Sequence, residues 1–202
     1  MLKTRDYFDI TGFFYNIKEY SFRSYLNIKR KDSEKNQPDL MVIMMNPGSS
    51  RQNKGFENIL EKEVPTIPDN TQDQIMRVMD NANLDYARIL NLSDLRETKS
   101  KILYEKIEIL KDTEIVHSVF DNRRNYDFEK LFIKGKPVIC AWGVNENLSE
   151  LANLAIEKIK GEKIIGIKKE SVENAYYHPL PQNYNKQKEW VEEISKQLIM
   201  IE

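Results

Sequence analysis

The chain has 202 residues, of which 40% are hydrophobic and 31% charged, and its net charge is −1. This composition suits one globular domain with a real core, and it excludes a strongly basic protein that binds nucleic acid through overall charge. One cysteine, Cys140, and two histidines are too few for an internal disulfide, an all-cysteine iron–sulfur cluster or a His/Cys zinc site, so we expect neither metal nor cofactor.

No apolar run approaches the roughly 20 residues needed to cross a bilayer, and residues 1–6 lack the apolar stretch of a signal peptide. The sequence therefore predicts a cytoplasmic protein with no membrane partner. We also expect a monomer.

The first elements follow from the patterning of apolar side chains. Residues 7–30 alternate aromatic and polar side chains, which predicts two strands, with a hairpin as one arrangement. The unbroken apolar run at 40–45 is typical of a strand buried on both faces, as in a parallel sheet. Residues 51–70 are expected to be irregular, because their two prolines forbid a long helix. A helix capped by Asn70 or Thr71 should follow.

The rest of the chain alternates strand and helix patterns. Two further buried strands are predicted at residues 86–92 and 138–142, and a fourth strand at residues 163–167. Apolar residues at helical spacing predict helices around residues 103–110, 128–132, 148–159 and 190–198. Asn147 and Glu150 resemble a capping box for the third of these helices.

This alternation predicts an α/β fold of three layers, with a central, mostly parallel four-stranded sheet, helices on both faces, and additional N-terminal strands. Residues 1–38 would form the N-terminal strands that pack on a main domain at residues 39–202. Ligands of such sheets bind outside the carboxyl ends of the strands. That rule selects the loops that follow Met45, Leu92, Trp142 and Ile167.

Three polar side chains in or beside these loops are candidates for chemistry. Asn46 is followed by Pro47-Gly48, which fixes the backbone and admits a ligand, although Asn-Pro-Gly is also common turn chemistry. Asn91 lies between apolar residues, where a buried amide must bond either to protein or to a ligand. His178 is held between an aromatic residue and a proline and can donate or accept a hydrogen bond. The other histidine, His117, is predicted to lie on the surface.

Four blocks in the chain, at residues 44–50, 89–92, 139–143 and 177–181, resemble motifs of the uracil-DNA glycosylase superfamily. The resemblance spans roughly residues 39–198 and is strongest to the mismatch-specific branch and a bacterial group with a similar Asn-Pro motif. It implies a hydrolase that excises a base from a flipped-out nucleotide of nucleic acid, expected to be DNA, in DNA repair or phage defence.

The resemblance also implies roles for individual residues. Asn46 would position the attacking water, His178 would donate to the base oxygen where charge develops, and Asn91 would read the base edge. Gly48 stands where uracil-specific enzymes carry a tyrosine, so the resemblance implies a modified or mismatched pyrimidine. The remaining implied contacts are Phe56 and Tyr177 with the base, and Ser49, Ser50, Arg51, Lys54, Arg96, Leu180, Tyr184 and Lys186 with the nucleic acid.

This sequence departs from the motifs at two points. Leu180 replaces the usual serine of the last motif, and the first motif has no aspartate, so no strong general base is identified. Two alternatives therefore stand beside the excising enzyme. One is a catalytically silent member of the same fold that binds a nucleotide or nucleic acid. The other is an enzyme that acts on free nucleosides or nucleotides.

Overall fold

The computed structural model describes residues 4–201. Residues 1–3, part of the start for which no signal peptide is predicted, lie outside the described residues. Within the described range, no helix combines the length and apolar character that crossing a bilayer requires.

The described chain forms eight strands: β1 (Phe8–Ile17), β2 (Tyr20–Arg30), β3 (Leu40–Met44), β4 (Arg51–Gln52), β5 (Glu63–Ile67), β6 (Tyr86–Asn91), β7 (Val138–Cys140) and β8 (Ile164–Ile165). They lie in one sheet in the order β4-β5-β1-β2-β6-β3-β7-β8. Strands β6, β3, β7 and β8 are mutually parallel, while the other pairings in this sheet are antiparallel.

The predicted mostly parallel, four-stranded sheet is therefore wrong, because the sheet is mixed, has eight strands and is mostly antiparallel. The β1–β2 hairpin pairs with β6, from Leu26 opposite Ile89 to Lys29 opposite Tyr86, so the N-terminal strands extend the same sheet. The prediction of irregular structure for residues 51–70 is also wrong, since this segment contains β4 and β5. Its prolines exclude a helix but are tolerated in strands near a sheet edge.

The five helices of the described chain are α1 (Asn70–Asn81), α2 (Ser100–Lys111), α3 (Asn125–Leu131), α4 (Ser149–Lys158) and α5 (Tyr184–Ile201). Each contains most of the apolar residues that predicted it, but Phe132 follows the end of α3, and Leu148 and Ile159 flank α4. Two predicted caps are wrong. Asp69 caps α1 through a capping box with Gln72, and Asn145 caps a short 3-10 turn before α4.

Helices cover both faces of the sheet, as predicted. Consecutive side chains of β3 point to opposite faces of the sheet. Val42 and Ile43 are both fully buried because both faces are covered. On one face, Met76 of α1 and Trp190 of α5 join Val42 in one apolar cluster. On the other face, Leu103 of α2 joins Ile43 in a cluster that also includes α3 and α4. Each such buried side chain contributes about 1.5–3 kcal/mol relative to exposure.

The carboxyl ends of β3 and β6 continue side by side into loops. Leu92 N donates to Met44 O at 2.8 Å, and Ser93 N donates to Met45 O at 3.1 Å. The segment that follows β3 therefore lies against the segment that follows β6, at the edge of the sheet where a ligand site was predicted.

Candidate functional site

The Asn46 amide is held in one orientation at the end of β3. Its Nδ2 donates to Leu95 O at 3.2 Å and to Glu97 O at 2.7 Å. Both acceptors are backbone carbonyls of the loop after β6, so they identify the nitrogen side of the amide. Oδ1 is the atom that remains for a ligand or a water.

Asp69 brings a carboxylate to the same place, which the sequence analysis did not foresee. Its Oδ1 accepts from Thr71 N at 2.8 Å and from Gln72 N at 3.4 Å, as the N-cap of α1. Its Oδ2 lies beside Gly48, where a Cβ would stand only 2.9 Å from it, and Gly48 has a φ of +61°. Glycine is thus required here for a left-handed turn and a close approach to the carboxylate. The Asp-x-x-Gln pattern of a capping box was the signal available in the sequence.

His178 is neutral and presents a donor. Leu180 N donates to its Nδ1 at 3.2 Å, so the proton of the neutral ring lies on Nε2. Burial lowers the pKa of His178 more strongly than the Asp69 carboxylate raises it. Because Nδ1 accepts from backbone and does not donate to a carboxylate, His178 is not arranged as the base of a Ser–His–Asp relay.

Asn46, Asp69 and His178 line a single cavity of about 250 Å³, with Gly48 and Leu180 also in its wall. We call it the strand-end cavity. Its lining residues carry an amide oxygen, a carboxylate and an imidazole N–H. This set of groups can hold a water molecule, accept its proton, and donate a hydrogen bond to a group that becomes negative.

The other predicted site residues are distributed around this cavity. Ser49 lines it. Tyr177 and Lys186 instead line a second cavity of about 550 Å³, which shares His178. Tyr184 begins α5 and is exposed.

The predicted contacts at residues 51–56 and Asn91, the predicted reader of the base, do not line the strand-end cavity. Arg51 and Lys54 are exposed, and Phe56 is half-buried between β4 and β5. Asn91 is fully buried and does not line the cavity. Its Oδ1 accepts from Arg23 Nη2 at 3.1 Å.

Two further residues depart from expectation. Arg23, in β2, is fully buried and was not identified from the sequence, although a charged residue between Phe22 and Tyr25 was a visible signal. His117 was predicted to lie on the surface, but it is buried, and its Nδ1 lies 3.0 Å from Ser93 Oγ.

Residues 25–180 match the model of a family described as a protein of unknown function (DUF1643). The chain belongs to this family. None of the curated proteins and none of the solved structures matches it.

Membership of the uracil-DNA glycosylase superfamily, predicted from four short blocks, is wrong, because the family that matches most of the chain is a different one. The blocks are brief apolar strands followed by Asn, Gly and Pro turns. Unrelated α/β proteins can share such turns at strand ends.

Proposed function

We propose that the strand-end cavity hydrolyses the N-glycosidic bond of a nucleotide, either in a nucleic-acid strand, DNA first, or free in solution. The observation that carries this proposal is the meeting of Asp69, Asn46 and His178 on one cavity of about 250 Å³. The proposal rests on these groups and not on the family, whose function is unknown.

The groups divide the reaction between them. Asn46 Oδ1 and Asp69 Oδ2 hold a water, whose oxygen bonds to the anomeric carbon as the bond to the base nitrogen breaks. The electron pair stays with the base, and a proton of the water passes to Asp69. His178 Nε2–H donates to the base oxygen on which negative charge develops, as a neutral imidazole can do when its other nitrogen accepts from backbone.

The test is direct detection of a released base. The protein is incubated with modified and mismatched duplexes, single strands, nucleotides and nucleosides, and free base is measured by chromatography and mass spectrometry. The variant His178→Phe keeps a planar ring but has no donor, and we expect release to slow about 10²–10³-fold. His117→Gln is the matched control, because His117 lies at a different cavity, and it should release base at the wild-type rate.

A second candidate is a protein that binds a nucleotide without cleaving it. The observation in its favour is that Asn46 and Asp69 both have structural tasks, since one joins two loops and the other caps α1. Saturable binding of the same panel in calorimetry, with no free base from any member, would support this candidate. That result would also contradict the hydrolase.

A further inference from the structure

Among the residues that the structure describes, the guanidinium of Arg23 is a buried charge without a contact partner of opposite sign. Arg23 is 0% exposed. Its Nη2 donates to Asn91 Oδ1 at 3.1 Å, while its Nε and Nη1 have no hydrogen-bond partner within residues 4–201. Burial lowers the pKa of Arg23 to about 10, so the group remains charged at neutral pH. Among residues 4–201, Asp69 and Asp94 attract it only from beyond ion-pair distance. A charge in this situation is costly unless something else compensates it.

Neighbouring side chains share this lack of partners. In the described part of the chain, Asn91 Nδ2, Ser50 Oγ and Arg96 Nε are likewise buried and without hydrogen-bond partners. Arg96 lies close enough to Arg23 for their charges to repel, and its Nη2 donates to Ser50 O at 3.2 Å. Except for the hydroxyl, which can do either, all these free atoms are donors. Donors gathered around two like charges are complementary to an oxyanion.

This cluster adjoins the strand-end cavity. Met44, in the cavity wall, pairs in register with Asn91, so the two side chains lie on the same face of the sheet, the face covered by α1. Arg96 lies over the ring of Phe14 at 5.2 Å, and Phe14 is the strand partner of Arg23. Ser50 of the cluster directly follows Ser49 of the cavity wall along the chain.

We propose that Arg23, Arg96, Asn91 and Ser50 form an oxyanion subsite that holds a terminal phosphate of the nucleotide. This inference rests on the proposed function and narrows its substrate class. Arginine suits the group, because its planar fork binds phosphate oxygens in pairs. The donors are fully enclosed, so the subsite suits a phosphate at the end of a molecule, whereas an internal phosphodiester would require the strand to continue on both sides.

Thermal unfolding and calorimetry with inorganic phosphate test the subsite without any need for catalysis. Phosphate should raise the Tm of the wild type. At phosphate concentrations well above Kd, the increase should grow with the logarithm of the phosphate concentration. A nucleoside 5′-monophosphate should bind at least tenfold more tightly than the nucleoside. An oligonucleotide with a 5′-phosphate should likewise bind more tightly than the same strand without one. These two arms distinguish a free nucleotide from a strand end as the source of the phosphate.

Variants separate a ligand-binding arginine from a structural one. In Arg23→Met an unpaired buried charge is replaced by an apolar side chain of similar length, so Tm without phosphate should stay level or rise, and the response to phosphate should disappear. The matched control is Arg88→Met. Arg88 lies in the same sheet, but its guanidinium bonds to Asn27 Oδ1, Leu131 O and Tyr86 Oη. This variant should have a lower Tm than the wild type, and phosphate should still raise its Tm.

Arg96→Met gives an independent reading if Arg23→Met does not fold, and it should weaken phosphate binding at least tenfold. The subsite is refuted if the wild type does not bind phosphate, or if the phosphate response persists in Arg23→Met or Arg96→Met. Base release without phosphate binding would overturn the subsite and leave the hydrolase standing. Phosphate binding without base release would overturn the hydrolase and leave the subsite standing.

Discussion

Replacing Asp69 with asparagine separates the two tasks of this side chain. Asparagine caps helices about as well as aspartate, so in Asp69→Asn an amide oxygen can still accept from Thr71 N and Gln72 N. The attraction between the charge and the start of α1, about 0.3–1 kcal/mol, is lost. A protein of this size loses about 2–4 °C of Tm per kcal/mol, so we expect Tm to fall by at most about 4 °C.

The effect on catalysis should be much larger. The substitution removes the carboxylate at Oδ2, beside Gly48, and an amide cannot take the proton of the attacking water. We therefore expect kcat for base release to fall about 10²–10⁴-fold. Asp69→Ala is the companion variant. It removes the cap as well as the charge, so it should cost about 1 kcal/mol of stability beyond the loss in Asp69→Asn, with no greater loss of kcat.

The assay is base release at saturating substrate, with Tm measured on the same samples. Base release by Asp69→Asn at the wild-type rate would refute the assignment of Asp69 as the proton acceptor. A Tm loss in Asp69→Asn as large as that in Asp69→Ala would refute the argument that the amide preserves the cap.

Two further predictions concern Gly48 and His117. Gly48→Ala forces a side chain into a left-handed backbone, at about 1–2 kcal/mol, and its Cβ would meet Asp69 Oδ2, so base release should slow. Gly135→Ala, at a φ of +75° with no atom nearby, should show the backbone cost in Tm but a normal rate; equal rates for the two variants would contradict the contact with the carboxylate. Burial lowers the pKa of His117 to about 4 from 6.5, so its neutral form stabilises the fold above pH 6.5, and this contribution is lost as the pH falls through 4. Urea unfolding should show the wild type losing about 3 kcal/mol more than His117→Gln between pH 7 and pH 4, and parallel losses would contradict the burial argument.

The pattern of apolar side chains was sufficient to predict most helices and strands of this chain. The unbroken run at 40–45 predicts a strand buried on both faces, and the structure has β3 there, with Val42 and Ile43 in opposite clusters. Helical spacing similarly predicts α5 from Trp190, Ile194 and Leu198. These predictions succeed because the side that a residue buries depends on the local repeat of the backbone.

The order of the strands could not be predicted in the same way. The β1–β2 hairpin lies next to β6, so the first strands of the chain complete a sheet whose other half is parallel. Such pairing joins segments about 60 residues apart, for example Leu26 and Ile89. No local pattern encodes which edge of the parallel strands the hairpin will occupy, and the assumption of a mostly parallel sheet was wrong for that reason.

The residues of the candidate site also fall into two groups, those that the sequence predicted and those that only the tertiary structure identified. The sequence alone singled out Asn46 and His178, because their neighbouring prolines and apolar residues mark rigid positions beside strand ends. Only the tertiary structure brought in Asp69 and Arg23. Asp69 reaches the cavity because Gly48 lets two distant segments touch. Arg23 is enclosed on the α1 face, opposite Phe22, next to a register shift in the β1–β2 ladder. Local sequence determines which side chains are polar or apolar, but long-range contacts determine which polar atoms remain without partners and so available to a ligand.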